Sequence, residues 1–166
     1  MQTLKNDKIT LTFNDDGCLV GLEGLSGVTI PISEDKVTAP FELELRDAEG
    51  NVTALRPQDK PEMRIEKESG AQRLVMTWNL PHDGASLKAE AAVALADDAQ
   101  LSAWTLRVEN GTPQAVWRVV FPRVSGLTAF EGGDGPDWLV VPYHGGESIP
   151  DPVAFVTAEA RTADAM

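Results

Sequence analysis

The sequence predicts an all-β protein, an antiparallel β-sandwich of about nine or more strands with little or no helix. Three observations carry that prediction. Apolar residues recur at every second position through most of the chain, turn-forming Asn, Asp and Gly close the runs, and strand candidates return at intervals of roughly 8–12 residues. At 166 residues, with 42% hydrophobic and 24% charged, the chain has the length of one domain and the composition of a globular one.

The first strand candidate sets Ile9, Leu11 and Phe13 against Thr10 and Thr12, and "NDDG" turns it into a returning segment, "CLVGLEGL". Strict alternation there puts Cys18, Val20 and Leu22 on one face, with Gly21 and Gly24 marking bulges or close backbone approaches. "FELELRDAEGNV" alternates Phe41, Leu43 and Leu45 with Glu42, Glu44 and Arg46, a charged face that belongs in water. A second hairpin runs Met63 and Ile65 into a Ser-Gly turn and back through Leu74, Met76 and Trp78.

The alanine-rich stretch "SLKAEAAVALADDAQLSAWTLRVENGT" is where helix competes, because Ala and Glu favour helix intrinsically. Strand wins on period. Leu87, Ala89, Ala91, Val93 and Leu95 fall at two-residue spacing, "ADDAQ" turns, and Trp104, Leu106 and Val108 alternate on the return. "AVWRVVFPRV" then sets Ala115, Trp117, Val119 and Phe121 against Val116, Arg118 and Val120, and Pro122 ends the ladder or places it on an edge. The acidic doublets Asp15-Asp16 and Asp97-Asp98 read as turn residues. A sandwich domain is expected over residues 1–147. Beyond it the alternation decays, and 148–166 reads as a linker or domain edge open to disorder.

Fourteen Lys and Arg against 26 Asp and Glu give a formal charge of −12. That charge repels phosphate backbones and anionic membrane surfaces, so neither nucleic acid nor membrane is an expected partner. Nothing at the N-terminus resembles a signal peptide, so the chain reads as soluble, with cytoplasmic and mature secreted locations both open. A lone Cys18 makes no internal disulfide and is expected as a small strand residue.

Residues 132–140, "GGDGPDWLV", fit the glycine-rich β-roll template that binds Ca²⁺, but they do so once, and that site works only as a tandem array. No cofactor is therefore expected. An isolated Ca²⁺ held by Asp134 and Asp137, with Glu147, is the alternative, in a segment where residues 126–166 carry seven acids and one base. His82 and His144 are expected in separate loops, and with one cysteine they are too few ligands for a zinc site. His144 and Glu147 form a candidate acid–base pair. Trp78, Trp104 and Trp117 fall on apolar strand faces and are expected in the core. Trp138 follows the glycine loop, and with Tyr143, His144 and Glu147 makes a candidate sugar-binding group, since indole faces stack on sugar C–H patches. Arg107 and Arg118 are expected to pair with nearby acids such as Glu109, with contact to a partner domain as the alternative.

The opening "LKNDKITLTFNDDGCLVGLEGLSG" resembles the first hairpin of the β-supersandwich domains that begin many glycoside-hydrolase-like proteins. "VVFPRVSGL" and "DWLVVPYHGGE" are similar to their later strands. The resemblance spans most of residues 4–147. It implies a galactose-mutarotase-like supersandwich, of bacterial type, that precedes a (β/α)₈ barrel carrying the catalytic carboxylates. No catalytic residue is carried over, because the chain ends at Met166, before any barrel. The expectation is a non-catalytic accessory domain that packs on a catalytic barrel and lends the loop "PYHGGE" to a sugar cleft. The alternatives are a carbohydrate-binding module, a mutarotase- or lyase-like enzyme, and a structural domain with a homo-oligomer partner.

Overall fold

The computed structural model describes residues 1–24, 27, 29–68 and 70–128, together with the backbone of 138–141 and 147–150. Thirteen strands run through them: β1 (Gln2–Lys5), β2 (Thr10–Phe13), β3 (Leu19–Glu23), β4 (Thr29–Ile30), β5 (Glu42–Arg46), β6 (Val52–Leu55), β7 (Glu62–Glu68), β8 (Ala71–His82), β9 (Ala85–Ala96), β10 (Ala103–Asn110), β11 (Ala115–Val120), β12 (Trp138–Val141) and β13 (Glu147–Pro150). A single 3₁₀ turn, Glu34–Lys36, is the only helical element among the described residues. The protein is an all-β antiparallel sandwich.

Its largest layer is the sheet β10-β9-β8-β7, built on the two long strands that the sequence marks most clearly. Leu74 pairs with Val93, Met76 with Ala91, and Trp78 with Ala89, so each cross-strand pair places both side chains on the inner face. The alanines of β9 are small enough for the facing layer to come close, which is their use here in place of helix. Two smaller sheets, β1-β2-β3-β4 and β11-β5-β6, supply the opposing side chains. Leu4, Leu11, Phe13, Phe41, Leu43 and Leu45 join the inner face of the large sheet in one buried cluster. Phe41 meets Trp78 edge-on at 5.1 Å between ring centroids, and Phe13 meets Trp104 at 5.5 Å.

The outer face of the large sheet is charged. Glu66 accepts from Arg64 at 2.8 Å and from Arg73 at 3.0 Å, and Glu90 lies within 4.0 Å of both arginines. Val75 and Ala92, opposite one another on this face and in line with Arg64, are buried although they point away from the core. Arg107 pairs with Glu109 at 3.0 Å, as expected.

Three local readings are corrected. In the first hairpin Leu11 pairs with Leu22 but Phe13 pairs with Leu19, so one extra residue bulges the returning strand. Leu19 is buried while Val20 is only half-buried, and Cys18, Val20 and Leu22 do not share a face. In β11 Ala115 lies opposite the outward Arg46 and Val116 opposite the inward Leu45, so Trp117 points outward, 59% exposed, instead of into the core, and the register slips there before Arg118. His82 does not sit in a loop. It ends β8, its side chain 10% exposed, with Nε2 donating to Gln114 Oε1 at 2.9 Å.

The "NDDG" turn forms, but its bonding comes from Asn14, whose Oδ1 accepts from the backbone N–H of Asp16 and Cys18 at 3.1 and 2.9 Å. Asn6 has a longer reach: its amide donates to the carbonyls of Ala96 and Ala99 at 2.6 and 2.8 Å, tying the first turn to the β9–β10 turn. After β11 the chain runs back along residues 31–40, where Arg123 N–H donates to Pro40 O at 2.9 Å and Ser33 N–H to Gly126 O at 2.8 Å. β12 and β13 form a hairpin, Trp138 opposite Pro150 and Val141 opposite Glu147. β13 lies where the alternation in the sequence fades.

Candidate functional site

Among the described residues, chemistry gathers on the outer face of β11-β5-β6. The alternation of β5 sends Leu43 and Leu45 inward and Glu42, Glu44 and Arg46 outward. Registers with the neighbours then fix the company each one keeps. Glu44 lies opposite Arg118 on β11 and Ala54 on β6, and Arg46 lies between Ala115 and Val52.

Glu42 departs from the expectation that this face simply meets water, because it is 8% exposed and the one buried charged residue among those described. Arginines surround it. Arg56 Nε donates to its Oε2 at 2.5 Å, Arg118 Nη2 lies 3.5 Å from Oε1, and Arg123 Nη1 lies 3.8 Å from Oε2. Arg118 also pairs with Glu44 at 2.8 Å. The Arg56 hydrogen bond, and then the charges of Arg56, Arg123 and Arg118, hold the Glu42 carboxyl below its ordinary value of 4.5 against the opposing effect of burial. Arg64 and Arg73 act in the same way on Glu66, on the large sheet.

These shifts set the direction of acid unfolding. With their folded values below 4.5, Glu42 and Glu66 stay ionised in the native state at pH values where the unfolded chain has begun to take up protons. Their stabilisation is therefore complete above the ordinary value and is lost as pH falls through the lowered ones. The thermal midpoint is expected to drop on acidification below 4.5, and Glu42→Gln is expected to make that drop shallower. Thermal scans across the acid range check both; a midpoint that rises on acidification would contradict this assignment.

Next to the saturated arginines lies one of a different kind. The Arg46 guanidinium sits over the Trp117 ring, 4.5 Å from its centroid, and has no carboxylate within ion-pair distance among the described residues. Trp117 shares that outer face with Ala115, which lies opposite Arg46, and the slip at Trp117 sets Val119 opposite the inward Leu43 instead.

Of the residues singled out in the sequence, Asp134, Asp137, Tyr143 and His144 lie outside the described residues. Trp138 and Glu147 are placed only as backbone, at opposite ends of the β12–β13 ladder: Trp138 pairs with Pro150 and Glu147 with Val141. Among the described residues no group of three or more His, Cys, Asp or Glu side chains is placed to hold a metal ion. Cys18 borders an open cleft of about 320 Å³ lined also by Asp16, Glu34, Thr38 and Asp59. Its Sγ donates to Thr38 O at 3.1 Å, and burial, helped by the charge of Asp16, pushes the thiol up to about 11. A thiol so held is no nucleophile at neutral pH.

Comparison with known proteins finds no matching family model and no similar curated protein.

Proposed function

We propose that this chain is a non-catalytic β-sandwich accessory domain of a carbohydrate-active protein and that it contacts sugar through the outer face of β11-β5-β6. One observation carries the reading: an indole, Trp117, stands 59% exposed on the outer face of that sheet. A soluble domain gains nothing in stability by holding so large an apolar ring in water, whereas a sugar ring, with its C–H patches, gains a stacking platform. The resemblance of residues 4–147 to the leading domains of glycoside-hydrolase-like proteins supports the same class. A catalytic barrel is then the expected neighbour, and the loop "PYHGGE" is a second candidate point of contact.

Titration with a panel of soluble oligosaccharides, followed by tryptophan fluorescence and calorimetry, tests the reading. Binding is expected in the wild-type chain and is expected to weaken at least about tenfold in Trp117→Ala, the loss typical of a central aromatic anchor. Loss in Trp138→Ala with Trp117→Ala unaffected would move the contact to the β12–β13 hairpin. Silence against every glycan at millimolar concentration would overturn the proposal.

A further inference from the structure

Resting on that reading, we infer that the sugar taken by this face carries a carboxylate, as a hexuronate does, with Trp117 stacking on the ring and Arg46 receiving the acid group. The inference starts from the difference between Arg46 and its neighbours. Arg56, Arg118 and Arg123 all lie within 4 Å of Glu42, and Arg118 also reaches Glu44. Each thus has a protein carboxylate within ion-pair distance, although the three share Glu42 and Glu44. Arg46 has no such partner among the described residues, although the protein carries an excess of 12 negative charges. In a chain so rich in acids, an exposed guanidinium with no carboxylate partner among the described residues can receive a carboxylate from outside.

Its surroundings keep it approachable. Arg46 lies in the central strand of the sheet, flanked in register by Ala115 and Val52, both exposed. A small side chain on one side and an aliphatic one on the other neither compete for the guanidinium nor cover it. The fork of an arginine accepts a carboxylate through two parallel N–H donors, and a guanidinium held against an aromatic face keeps its plane fixed while it does so. The guanidinium lies over one face of the indole, 4.5 Å from its centroid, so a sugar ring would stack on the indole surface left exposed and meet the charge with an acid group reaching past the ring.

The net charge narrows the ligand further. A densely charged polyphosphate or polysulfate is repelled at long range by a protein at −12, whereas a single carboxylate on a sugar feels mainly the local field around Arg46. A uronate within an oligosaccharide meets that limit.

The probes are short oligosaccharides that carry a single galacturonate or mannuronate residue, their carboxyl-reduced neutral counterparts, a neutral oligosaccharide carrying one sulfate and a Glu-rich peptide, each titrated calorimetrically at low and high salt. The expected result is binding of a uronate oligosaccharide that weakens with salt and is about ten- to hundredfold tighter than that of the reduced counterpart, the range of a charge-assisted hydrogen bond. Arg46→Gln is expected to erase that preference while the neutral sugar still binds, and Arg46→Lys to restore part of it. Arg107→Gln serves as the control, since it removes the same charge from the other sheet, and it is expected to leave binding unchanged. Circular dichroism confirms the fold of each variant.

If neutral and carboxylated sugars bind equally, or if Arg107→Gln matches Arg46→Gln, the carboxylate inference fails while the sugar-contacting reading stands. Equal binding of the sulfated sugar or of the peptide would also overturn it. If no glycan of any kind binds, both fail.

Discussion

Phe41→Ala is expected to cost about 3–5 kcal/mol of folding stability, the range found when a large aromatic is removed from a packed interior. Phe41 has no exposed surface and sits just before β5, where it meets the edge of Trp78 across the sandwich. Truncation leaves a void between two sheets held apart by Leu43, Leu45 and Leu74, so collapse around it is restricted. Set against a total stability of about 5–15 kcal/mol for a domain of this kind, the loss is a large fraction. Urea denaturation checks it through a lower midpoint with an unchanged slope. Val119→Ala is the matched control: half-exposed on the edge strand β11, it is expected to cost less than about 1 kcal/mol. A Phe41→Ala loss below about 1 kcal/mol would mean that the three sheets do not share one core.

That core was legible because it rests on the simplest signal a sequence carries. β8 and β9 keep period two across twelve residues each, and the buried set Leu74, Met76, Trp78, Leu87, Ala89, Ala91, Val93 and Leu95 follows from counting. In β9 tertiary context overrides the helix preference of alanine, and the period announces it. Alternation fails where one residue is inserted. The bulges at Val20 and Trp117 each reverse the faces beyond them, and nothing in "CLVGL" or "AVWRV" fixes on which residue the slip falls. Gly21 hinted at the first. Trp117 had no such marker, and a tryptophan on an apolar face reads as core until the register of its partner strand is known.

The candidate site was hidden for the same reason. Glu42, Arg56, Arg118 and Arg123 are far apart in sequence, and the pairing of β5 with β11 and with β6, with the run of residues 123–128 along 31–40, brings them together. Composition says that the charged face of β5 meets water. It does not say that Glu42 is enclosed by three guanidinium groups, or that Arg46, two residues from Glu44, has no carboxylate partner among the described residues. The residues that stood out in the sequence, around "GGDGPDWLV" and "PYHGGE", did so through residue type alone, whereas Arg46 and Trp117 are distinguished by what lies beside them.

Gly17→Ala is expected to destabilise the protein by about 2–5 kcal/mol, from two separable causes. The first is backbone conformation: Gly17 has φ +82°, in the left-handed region where an L side chain costs about 1–2 kcal/mol. The second is space. A Cβ there would lie 2.7 Å from Trp78 Cζ2 and 3.2 Å from Met76 Sδ, and both neighbours are buried in the core, so overpacking adds about 1–3 kcal/mol. Gly70 isolates the first cause. Its φ is +85°, nearly the same, but a Cβ there meets nothing within 4 Å, so Gly70→Ala is expected to show the backbone cost alone. The difference between the two variants in urea denaturation then measures how tightly the first hairpin turn is pressed against Trp78. Equal losses would mean that the turn stands clear of the core, in which case the close approach of Gly17 would not be what seats the "NDDG" turn on the large sheet.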